Sequence, residues 1–120
     1  MRRSIICLAA TSFLLMGPAL AQEAKYTWTG YGKNVPQTNK CPTYKMQIDV
    51  TVANGRVVGL FQQEGRTQRN FNLPLLPDGS FKGEARLDAN TIAVSGRISG
   101  ESGEILLYGY CEFRGTLKKV

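Results

Sequence analysis

The stretch Tyr44-Lys45-Met46-Gln47-Ile48-Asp49-Val50-Thr51-Val52, followed by Ala53-Asn54-Gly55-Arg56, decides the fold class. Every even position from 44 to 52 is apolar and every odd one polar. That is the period of a strand with one face in a core and the other in water; a helix would scatter the same apolar residues around its axis. Asn54 and Gly55 both tolerate positive φ, so the pair predicts a two-residue type I′ hairpin into a second antiparallel strand over residues 56–64.

The same logic extends outward in both directions. Glu64-Gly65, Pro77-Asp78-Gly79, Asp88-Ala89-Asn90 and the glycine-rich Ser99-Gly100-Glu101-Ser102-Gly103 are turn signals. They separate strands predicted over residues 66–73, 80–87 and 91–99 and a long final run, 104–118. With residues 26–33 in front, the chain has seven strands, or eight if the last run bends at Gly115. The connections are too short for crossover helices, so sequence neighbours pair antiparallel as a meander.

Glycines recur inside these strands in the pattern apolar-x-Gly-x-apolar, as in Val57-x-Gly59-x-Phe61, Phe81-x-Gly83-x-Ala85, Val94-x-Gly96-x-Ile98 and Leu107-x-Gly109-x-Cys111. Each glycine shares the phase of its strand's inward set. Glycine weakens a strand, so its repeated use points to the coiling that lets a small sheet close on itself. The expected fold is all-β, a small antiparallel up-and-down meander barrel of seven to eight strands, with a β-sandwich as the alternative. Tyr26 and Trp28, in phase with Gly30, are expected in the core.

Residues 1–21 have a different character. A basic Met1-Arg2-Arg3, an apolar stretch 5–16, Gly17-Pro18 and the small-residue Ala19-Leu20-Ala21 read as a secretory signal peptide cleaved after Ala21. The apolar core is about a dozen residues, short of the roughly 20 needed to span a bilayer as a helix. Residues 22–120 are then a single all-β domain, periplasmic or secreted, with no membrane span. Of the three cysteines, Cys7 falls in the leader, and Cys41 with Cys111 is expected to form one disulfide in an oxidising compartment. Without Arg2 and Arg3, the formal charge of +6 becomes +4. An exported basic chain meets anionic polysaccharide, lipid headgroups and peptidoglycan, and nucleic acid is not expected as a partner.

The chain contains no histidine. That excludes Ser-His-Asp and Cys-His catalysis and histidine metal ligands. Glu84, Asp88, Glu101, Glu104 and Glu112 fall at solvent-facing strand positions or turns, and Asp78-Gly79 and Asp88-Ala89-Asn90 supply too few oxygens for calcium. No catalytic residue, metal or cofactor is expected. What remains is binding. Tyr108 and Tyr110 are expected to face outward from the last strand, with Arg97, Arg114, Lys82 and Arg86 on the same face. Aromatic rings beside cations suit a glycan, an anionic ligand or a protein partner. The second candidate is the loop 33–43, long for a hairpin and pinned by Cys41. The expected function is a non-enzymatic binding or envelope-accessory module; the alternative is an inhibitor of a secreted or host hydrolase, of protease or lysozyme type, acting through that loop.

Overall fold

In the computed structural model the described residues are 23–120, and the expected signal peptide and its cleavage site lie outside them. Eight strands follow one another: β1 Ala24–Tyr31, β2 Lys45–Ala53, β3 Arg56–Gln63, β4 Arg69–Pro74, β5 Ser80–Arg86, β6 Thr91–Ser99, β7 Ser102–Tyr108 and β8 Glu112–Lys119. They form one antiparallel sheet in the order β4-β3-β2-β1-β8-β7-β6-β5, so every hydrogen-bonded neighbour except the β1–β8 pair is also a neighbour in sequence. This is the expected meander, curled into a nearly closed barrel. The Asn54-Gly55 hairpin forms as its residue types demand, with φ of 54° and 74°.

The final run departs from expectation. It does not bend at Gly115, which sits within β8; it turns back at Gly109-Tyr110-Cys111 to make β7 and β8, with Leu107 opposite Phe113. The reason is length. A continuous strand over 104–118 would reach about 50 Å at roughly 3.3 Å per residue, twice the height of neighbours limited to six to nine residues. Gly109 is the turn residue here, although its spacing placed it with the glycines of strand interiors.

The wall is sealed differently at its two unlike places. Between β1 and β8 the ladder holds at Tyr26–Lys119 and Thr27–Lys118, lapses, and resumes in the same register at Lys33–Glu112. The indole of Trp28 lies in the lapse, so close to Gly30 and Gly115 that a Cβ on either would collide with the ring. Between β4 and β5, the two ends of the sheet, side chains make the closure: the Phe71 and Phe81 rings stack at 6.4 Å and Leu73 covers Gly83. Glycine therefore serves packing as well as coiling, because rings and branched chains from adjacent strands lie flat where a Cβ is missing.

The interior is filled. Ile48, Val50, Val57, Phe81, Ile92, Val94, Ile105, Leu107, Phe113 and Leu117 are among the buried residues of one continuous core, joined by Tyr26, while Trp28 is half-buried against it. The Tyr26 hydroxyl donates to the Gly100 carbonyl at 2.6 Å, tying β1 to the β6–β7 turn at one end of the barrel. The opposite end carries the disulfide. Cys41 opens a short 3-10 turn, Cys41–Thr43, and joins Cys111 in the β7–β8 turn across a Cα–Cα distance of 5.7 Å. Among the described residues no helix is long and apolar enough to cross a membrane.

Candidate functional site

At the disulfide end, two polar residues interrupt the apolar inward rows. Gln63 continues the inward series Val57, Gly59, Phe61 of β3, and Arg69 precedes Phe71 and Leu73 on β4. Register makes them neighbours of the core's last layer, with Gln63 opposite Met46 and Arg69 opposite Phe61. Above this layer the turns β3–β4, β5–β6 and β7–β8 stand apart and leave an open cleft of about 330 Å³. Met46 and Phe61 line its floor, Tyr44 and Tyr110 one wall, and Arg66, Arg69 and Asp88 the rim.

Apart from Tyr26, whose hydroxyl is bonded to Gly100, Gln63 is the only polar side chain among the buried described residues, at 8% exposure. The Tyr110 hydroxyl donates to its Oε1 at 2.8 Å, and its Nε2 has no protein acceptor among the described residues. A buried amide with one end unpartnered is costly to leave unpaired, at about 1–3 kcal/mol. The cleft is the space from which an acceptor can reach it.

Tyr110 is set by its neighbours on three sides. Its ring packs edge-on against Phe113 at 5.8 Å, its hydroxyl engages Gln63, and the next residue is disulfide-bonded. Burial pushes its phenol above the usual tyrosine range, while Arg66 and Arg69 pull it back by favouring the phenolate. Arg69 is already paired, Nη2 to Asp88 Oδ1 at 2.9 Å, and Arg66 has no salt bridge among the described residues.

The outer face expected to bind is assembled only in part. Tyr108 does point outward at 43% exposure, but Tyr110 folds over the mouth and leaves that face. Tyr108 lies in the row Glu84, Ala93, Tyr108, Glu112, so the nearest in-row charges on both sides are acidic, with Lys33 beyond Glu112. Lys82 and Arg114 share the adjacent row with Ser95 and Leu106 between them. Arg114 is paired with Glu112 at 3.1 Å and Arg97 with Asp78 at 3.6 Å, which leaves Lys82 and Arg86 as the cations of the set without a carboxylate partner among the described residues. Asp78 also accepts from the Ser80 hydroxyl at 2.6 Å and the Ser80 amide at 3.0 Å, bonds that hold its carboxyl below the usual range.

The loop 33–43 is held from within. Asn34 Oδ1 accepts from the Cys41 amide at 3.0 Å and the Thr38 hydroxyl donates to the Val35 carbonyl at 2.7 Å, with Gln37 at φ 72°. None of residues 33–43 lines the mouth cleft; the loop lies beside it, across the disulfide. Among the described residues no group of three His, Cys, Asp or Glu side chains is placed to hold a metal.

No protein-family model matches the sequence, and no curated protein is significantly similar to it.

Proposed function

We propose that the chain is an exported, non-catalytic binding module that takes a small polar ligand at the open mouth of its barrel. The carrying observation is Gln63, a buried amide whose Nε2 has no protein acceptor among the described residues and which borders a concave, partly aromatic cleft. Ligand sites in small domains combine an apolar lining with a few convergent polar groups, and this mouth has both. The leader read from residues 1–21 and the disulfide support export; the lack of histidine and the dispersed carboxylates, most of them exposed, support binding without turnover.

Equilibrium dialysis against the low-molecular-weight fraction of an envelope hydrolysate, followed by mass spectrometry, tests the proposal. The wild type is expected to retain a compound that Gln63→Leu loses and Tyr108→Ser keeps, with all three melting cooperatively. Retention that depends on Tyr108 and ignores Gln63 would move the site to the outer face. No retained compound at all would sink the proposal. The inhibitor alternative draws on the internally bonded loop 33–43, a preorganised protrusion of the kind that binds with little ordering cost. Stoichiometric inhibition of a secreted protease or muramidase, abolished by changes within 33–43, would favour it.

A further inference from the structure

We infer that the mouth cleft recognises an acidic sugar, a hydroxylated ring bearing one anionic group; the inference rests on the binding role proposed for that cleft. Three features of the lining select this chemistry together. The rim carries two guanidinium groups, Arg66 and Arg69, against one carboxylate, Asp88. An arginine fork matches the paired oxygens of a carboxylate or phosphate. Deeper in, Gln63 Nε2 is a donor without an acceptor, and the Tyr110 oxygen, which already donates to Gln63 Oε1, keeps lone pairs for a donor; a sugar hydroxyl can serve both. An alkyl chain laid over them would bury the amide unpaired, which turns fatty acids and other aliphatic anions away. The rest of the lining includes Leu87, Ala89 and the rings of Tyr44 and Tyr110 above a floor of the buried Met46 and Phe61, and gives apolar patches suited to the C–H face of a pyranose.

Size agrees. At about 330 Å³ the cleft is at the small end of ligand sites, room for one or two sugar rings. Its charge is already half-committed, because Asp88 holds Arg69 at 2.9 Å. Asp88 is itself 88% exposed, so an incoming anion competes for Arg69 with a carboxylate that water can readily take back. Asp88 thus limits affinity for anions and does not touch neutral ligands electrostatically.

Calorimetric titration of the intact protein with galacturonate, a hexose phosphate and glucose, at matched ionic strength, tests this. One of the two acidic sugars is expected to bind at least about tenfold tighter than glucose, and which one does identifies carboxylate or phosphate as the anionic group. Arg66→Gln is expected to bring that sugar close to the glucose level. Asp88→Asn is expected to tighten the acidic sugar roughly three- to tenfold and leave glucose unchanged, an increase that a merely structural role for Asp88 would not produce. Glucose binding as tightly as both acidic sugars would overturn the inference while sparing the cleft as a binding site. So would silence of all three probes when dialysis has retained a Gln63-dependent compound; silence in both experiments would remove the site itself.

Discussion

Replacing both Cys41 and Cys111 with alanine perturbs the barrel where its mouth is fastened. The two half-cystines are separated by 70 residues in sequence, and both are buried, at 1% and 0% exposure. Loop-closure entropy for a ring of that size is worth about 4 kcal/mol at 25 °C. Filling two buried sites with smaller side chains adds a cost on the order of 1 kcal/mol. A domain of this size has about 5–15 kcal/mol in total, so the variant loses a third or more of its stability. Urea unfolding followed by the emission of Trp28, the only tryptophan, reads the change. With a slope of roughly 1 kcal/mol per molar urea, the midpoint falls by about 5 M, or the variant is unfolded without denaturant. Reduced wild type separates the covalent link from the packing of the sulfur atoms, since it loses the first and keeps the second. A midpoint that moves by less than about 1 M in both forms would refute the reasoning, and would mean that the unfolded chain is already constrained without the bond.

Gly115→Ala places a methyl group where the Trp28 indole lies, and the overpacking is expected to cost about 1–3 kcal/mol, checked by thermal melting and by the near-ultraviolet dichroism of the single tryptophan. Tyr110→Phe removes the donor to Gln63 Oε1, leaves both ends of a buried amide unpaired and is expected to cost about 1–3 kcal/mol in urea unfolding, with weaker retention of the dialysis ligand. The Tyr110 phenol holds its proton more tightly when folded than when unfolded. Its contribution is therefore intact below the ordinary value of 10.0 and is lost as pH climbs from there through the raised value. Stability measured across that alkaline window is expected to fall with pH in the wild type and to fall less in Tyr110→Phe.

Strand order and hairpin chemistry were legible because each rests on local rules, and the disulfide because the leader takes Cys7 and leaves one pair. Alternation from Tyr44 to Val52 marks a half-buried strand, Asn54-Gly55 names its turn, and an all-antiparallel meander leaves little choice of neighbours. The β7–β8 turn was hidden because Gly109 fell into the phase of the strand glycines and Tyr110-Cys111 carries no turn residue. Only the finite height of the barrel forces a reversal there. Tyr110 was misdirected for the same reason: parity along an unbroken strand sends it outward, whereas a turn frees it to fold over the mouth. The best signal of the site was nonetheless present in the pattern. Gln63 and Arg69 stand at inward phase, where the rows are otherwise apolar or glycine as far as the mouth. A polar residue in a core phase is a stronger pointer than an exposed tyrosine, because burial makes it expensive and exposure does not.

The mouth as ligand site stands or falls on where a bound molecule makes contact. Two-dimensional nitrogen–proton NMR of the labelled protein, titrated with the envelope fraction used for dialysis, reads this directly through the side-chain amide of Gln63. This amide and the backbone signals of Arg66 and Tyr110 are expected to shift together and saturate, while those of Lys82, Tyr108 and Arg114 stay in place. Saturating shifts confined to Lys82, Tyr108 and Arg114, with the Gln63 amide unmoved, would contradict the mouth as ligand site.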